Sequence, residues 1–97
     1  MSLKGLEILF FYNKYNPESL KTRSDFFEVF AQNNCISNIK INSIDIDKYP
    51  LICKKYNING IPTTLIFKND VPVLKVLGQL FKKDLKLLMK ELNNKPI

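Results

Sequence analysis

The chain has 97 residues, 45% of them apolar and 25% charged, with a formal net charge of +6, two cysteines and no histidine. That length holds one domain of globular composition, and no apolar run approaches the roughly 20 residues needed to cross a bilayer. Two cysteines argue against a disulfide framework. The lack of histidine argues against a zinc site and removes the commonest general base, so hydrolase chemistry loses its support.

Leu6 to Tyr12 is a short apolar run bounded by Gly5 and Asn13-Lys14, which predicts a buried strand. It contains Glu7 and lacks a small-residue cleavage site, so it reads poorly as a secretory signal, and the cytosol is the expected compartment. Asn16-Pro17-Glu18 is a helix start. Asn caps the first amides, Pro suits the first helical position, and Glu favours the positive end of the helix dipole. Leu20, Phe26, Phe27, Val29 and Phe30 give this helix an expected apolar side through Asn33, with Asn33-Asn34 ending it.

Ile39 to Ile46 predicts a second strand, in which Ile39 and Ile41 share one parity and Ile44 and Ile46 the other. A strand-helix-strand unit implies a parallel pair with a right-handed crossover. Asp47 or Tyr49-Pro50 opens a short helix through Tyr56. Thr63–Lys68 and Val71–Leu77 flank Lys68-Asn69-Asp70, residues that tolerate a tight hairpin, so this pair is expected to be antiparallel. Leu80, Phe81, Leu85, Leu88, Met89 and Leu92 complete an amphipathic last helix. Its Lys82, Lys83, Lys86 and Lys90 read as a solvated face, because no stacking rings alternate with them as a nucleic-acid groove would require.

The segment Lys55-Tyr56-Asn57-Ile58-Asn59-Gly60-Ile61-Pro62-Thr63-Thr64-Leu65-Ile66-Phe67-Lys68-Asn69 resembles the thioredoxin family, whose members carry a very similar Gly-Ile-Pro-Thr register. The resemblance covers residues 6 to 92 of a single domain spanning 1–97. It implies an α/β thioredoxin-like fold of order β-α-β-α-β-β-α, a four-stranded mixed sheet with helices on both faces. It also implies a cis Ile61-Pro62 bond beside a groove that takes a partner's backbone, with Gly78 after the last strand at its edge.

At the family's dithiol positions this sequence has Asn16 and Ser19. Disulfide exchange needs a thiolate, which neither residue supplies. Alignment also puts Phe10 where the family buries an aspartate and Ser43 where that acid's lysine partner stands. Cys35 and Cys53 are expected on opposite sides of the sheet, each a small apolar-like residue and too far apart to pair.

The resemblance therefore implies a non-catalytic module, without cofactor or metal, that binds a protein or peptide through Tyr15, Asn16, Pro17, Ile61, Pro62, Leu77 and Gly78. No membrane or nucleic-acid partner is expected. The competing expectation is a thiol- or glutathione-linked enzyme or sensor using Cys53 or a hydroxyl of Tyr12, Tyr15 or Ser19. It lacks the second helical domain that glutathione transferases use for the electrophile.

Overall fold

A computed structural model describes residues 6–31 and 39–94. The elements follow the order β1 Leu6–Tyr12, α1 Pro17–Ala31, β2 Ile39–Asp45, α2 Pro50–Lys55, β3 Thr63–Lys68, β4 Val71–Leu77 and α3 Lys82–Asn94. The strands form one sheet in the order β2-β1-β3-β4. β1 runs parallel to β2 and antiparallel to β3, and β3 runs antiparallel to β4. The expected α/β thioredoxin-like architecture is the one observed. Cys35 and the expected helix end at Asn33-Asn34 lie outside the described residues.

The central strand β1 divides the core by parity. Ile8 and Phe10 point to one face and join Phe26, Val29, Ile66, Leu85 and Met89, which places α1 and α3 on that side. Leu9 and Phe11 point to the other face and join Leu65 and Phe67, where Ile52, Cys53 and Tyr56 bring α2 against the sheet. Each fully buried side chain of this size contributes about 1.5–3 kcal/mol. Ring contacts between Phe10 and Phe26 at 5.4 Å, and between Tyr56 and Phe67 at 5.6 Å, tie one helix to each face.

The change of parity along β2 is not a register slip. Ile39 and Ile41 pack on the α1/α3 side, whereas Ile44 and Ile46 pack on the α2 side. An edge strand covered by different helices at its two ends needs apolar residues of both parities.

Two expectations about helices require correction. On α1 the buried residues are Ser19, Thr22, Asp25, Phe26 and Val29, while Leu20 and Phe27 are 37% and 46% exposed. Phe26 takes the core position, and its neighbour Phe27 is turned outward by the 100° step between successive helical residues. At the other end of the chain, Leu80 and Phe81 precede α3. Phe81 is its N-cap, its amide donating to Asp84 Oδ2 at 3.0 Å while its carbonyl accepts from Leu85.

The β3–β4 hairpin closes through Asn69 and Asp70, both at positive φ (53° and 68°), as a two-residue turn of the hairpin-favouring hand requires. Pro72 sits at an irregularity: Ile66 pairs with Leu74 and Phe67 with Pro72, leaving Val73 as an extra residue. A proline on an edge strand at a bulge removes no central ladder bond.

Candidate functional site

Three chain segments leave the same end of the sheet. The loop after β1 does so because Phe11 lies opposite Thr63, which follows Ile61-Pro62. β4 ends there too, since Leu77 pairs with Thr63. The parallel partner β2 brings the Asp45–Tyr49 loop to that end as well. Tyr15, Asn16, Pro17, Ile61, Pro62, Leu77 and Gly78, distant in sequence, are therefore brought together at one end of the sheet.

The Ile61-Pro62 bond is cis. Pro62 is buried and Ile61 half-buried. The Pro62 carbonyl accepts a hydrogen bond from the Gly78 amide at 2.8 Å, and Thr63 Oγ1 donates to the Gly60 carbonyl. Gly78 has φ +113°, a conformation that a side chain would strain. Leu77 overhangs Gly60 so closely that a Cβ at residue 60 would meet Leu77 Cδ1 at 3.1 Å. Leu77 itself is 68% exposed and Tyr15 is 76% exposed.

Asn16 and Ser19 begin α1, and their polar atoms are committed to the loop. Asn16 Oδ1 accepts the Ser19 amide at 2.7 Å, the N-cap expected from sequence. Ser19 is fully buried. Its hydroxyl accepts from the Asn13 amide at 3.2 Å and lies within donating distance of the Asn16 carbonyl at 2.9 Å and the Asn13 carbonyl at 3.1 Å.

Asn13, which the sequence did not single out, is the hub of the loop. Its Oδ1 accepts from Tyr15 N at 2.9 Å, its carbonyl from Asn16 N at 3.0 Å, and its Nδ2 donates to Asp47 Oδ2 at 2.7 Å. A polar residue immediately after a buried strand, before an Asn-Pro helix start, is the only signal that could have marked it.

Below the loop, Phe10 lies between Ser43 on β2 and Thr64 on β3, each its register partner. The Ser43 and Thr64 hydroxyls are buried without hydrogen-bond partners among the described residues. The Phe10 ring is 1% exposed. No proton-transfer group stands in this row.

Cys53 is on α2, half-buried against the opposite face of the sheet from α1. Burial pushes its thiol pKa up from the ordinary 9.0, only partly opposed by a hydrogen bond to backbone. Among the described residues no three His, Cys, Asp or Glu side chains converge as a metal site would need, and no helix is long and apolar enough to cross a membrane.

Residues 9–91 match the family model described as Thioredoxin. The chain belongs to the thioredoxin family. It is 42% identical over 40 residues to a thioredoxin-like protein of Synechocystis sp., covering 41% of this chain and 38% of that protein. It is 46% identical over 46 residues to a thioredoxin of Buchnera aphidicola, covering 47% of this chain and 42% of that one. The matches thus span under half of these relatives' length.

Among solved structures, chloroplastic thioredoxin z superimposes with a TM-score of 0.81 at 20% identity, covering 95% of this chain and 81% of that chain. The malaria parasite's thioredoxin-2 gives 0.81 at 19% identity, covering 94% and 85%. At such identities the likeness establishes the thioredoxin fold, and the residues themselves must carry any statement about activity.

Proposed function

We propose that this chain is a thioredoxin-family domain without redox catalysis, which docks an extended segment of a partner protein. The groove consists of Tyr15, Pro17, Ile61, Pro62, Leu77 and Gly78, with Asn16 beneath Tyr15 in sequence. The supporting observation is the condition of the two dithiol positions. Asn16 spends its side-chain oxygen on capping α1, and Ser19 is fully buried with its hydroxyl held by Asn13 and Asn16. A hydroxyl without an adjacent base neither ionises near neutrality nor exchanges with a disulfide. Beside these spent groups stand two large exposed apolar residues, Tyr15 and Leu77.

Phe10 adds to the reading, because a phenyl ring between two buried hydroxyls supplies no group to take or return a proton. The position of Cys53 on the other face of the sheet, with its thiolate disfavoured by burial, lends no support to a replacement redox centre.

The test is affinity for the native partner, captured from the source organism, identified, and then titrated as a purified protein against wild type and Ile61→Asp. A loss of about tenfold or more supports the groove, since a charge placed in a desolvated apolar contact costs at least that much. Equal affinity sinks it. Capture that disappears on adding reductant would return the function to thiol chemistry.

A further inference from the structure

The two loops that follow the parallel strands β1 and β2 carry one pattern twice: Asn13-Lys14-Tyr15 and Asp47-Lys48-Tyr49. Their leading residues are bonded to each other, Asn13 Nδ2 donating to Asp47 Oδ2 at 2.7 Å. Each loop is also fixed from within. Tyr15 N donates to Asn13 Oδ1 at 2.9 Å, and Asp47 N donates to Asp45 Oδ1 at 3.0 Å. The Asp45 carbonyl accepts from Lys48 N at 3.0 Å and Tyr49 N at 3.1 Å.

The residues behind these anchors face outward. Lys14 and Lys48 are exposed, Tyr15 is 76% exposed and Tyr49 49%. Among the described residues neither lysine forms an ion pair; the pairs present join Lys21 to Asp25 and Lys82 to Glu28. Asp47, the carboxylate within the pattern, is engaged by the Asn13 amide. Two cations and two phenols are therefore held on one anchored surface, in a chain whose net charge is +6.

We propose that Lys14, Tyr15, Lys48 and Tyr49 form a single recognition surface for an acidic peptide segment of the partner. The inference rests on the docking reading above and names the chemistry that the groove alone does not specify. The ammonium groups take the segment's carboxylates, and the phenol rings cover its apolar atoms while their hydroxyls reach its polar ones. Charges of this kind select against basic competitors and speed encounter more than they deepen affinity.

A peptide fits better than single-stranded nucleic acid. The Lys14 ammonium lies over the Tyr15 ring, 5.2 Å from its centroid, and occupies a face on which a base would stack. Two lysines also neutralise few phosphates, and affinity for nucleic acid grows with the number neutralised.

The experiment is an amide-resolved NMR titration of the full chain with three probes: a short synthetic peptide alternating Glu and Leu, its Lys and Leu counterpart, and oligothymidylate. The expected result is perturbation of Lys14, Tyr15, Lys48 and Tyr49 by the acidic peptide alone, weakening as salt rises. In Lys14→Glu/Lys48→Glu, binding should fall about tenfold or more while circular dichroism stays unchanged, since both positions are exposed. Equal binding of the basic peptide overturns the proposal, as does stronger binding of oligothymidylate or perturbation confined to Lys83, Lys86 and Lys90.

The groove reading and this one fail differently. A native partner that needs Ile61 but tolerates the double charge reversal overturns the surface and leaves the groove. A partner indifferent to Ile61→Asp, combined with an acidic peptide that still perturbs both loops, removes the groove and leaves the surface.

Discussion

Lys75 on the edge strand β4 donates its ammonium to the carbonyl oxygens of Tyr56 at 3.1 Å and Asn57 at 2.9 Å, closing the C-terminal end of α2. The helix ends there as Asn57 adopts φ 54°, with Ile58 N donating to Cys53 O at 2.9 Å and Asn57 N to Lys54 O at 3.2 Å. That double bond pattern satisfies two of the last carbonyls, and the lysine takes two more while placing positive charge at the negative end of the dipole. Lys75→Met keeps the stem and removes the charge. It should cost about 0.5–1.5 kcal/mol in urea unfolding. Faster hydrogen exchange should concentrate at the Tyr56, Asn57 and Ile58 amides, and uniform acceleration across the sheet would contradict this.

Phe26 and Phe27 are adjacent on α1, yet one is 1% and the other 46% exposed. Phe26→Ala empties a site in contact with the Phe10 and Phe30 rings and should cost about 3–5 kcal/mol, enough to threaten folding of a domain this small. Phe27→Ala should cost about 1 kcal/mol or less. Denaturant midpoints of the two variants settle which ring is core.

Ser19→Ala leaves the buried Asn13 amide without its acceptor, for an expected cost of about 1–3 kcal/mol. Asn16→Ala removes the α1 cap and should cost about 1 kcal/mol. The two changes share the Asn13–Asn16 turn, so their effects should fall short of additive in a double-mutant cycle.

Cys53 should alkylate slowly near neutral pH and faster as pH rises past 9.0, because burial favours its protonated form. The sign for stability follows. A folded pKa raised above the unfolded one means that the contribution is fully present below the unfolded value and is lost as pH rises through the folded one. Cys53→Ala should therefore flatten part of the alkaline decline in the unfolding midpoint. An identical decline in the variant would assign it to other groups.

Much of the architecture was written in local patterns. The β3 and β4 boundaries, the Asn16-Pro17-Glu18 helix start and the Asn69-Asp70 turn each depend on residues adjacent in sequence, and each holds in the fold. The Gly60-Ile61-Pro62-Thr63 register likewise announced the family. Composition and the absence of histidine narrowed the chemistry before any contact was known.

Tertiary structure decided what local pattern cannot encode. Which of two neighbouring phenylalanines faces the core depends on where α1 sits over β1, a matter of a single helical step. Asn13 became a hub because Asp47, 34 residues away, comes within hydrogen-bond distance once β1 and β2 are paired. The two Lys-Tyr loops, unremarkable apart, become one surface for the same reason. Periodicity fixes an element's own faces, whereas parallel pairing fixes which loops share an end, and the candidate site is made at that end.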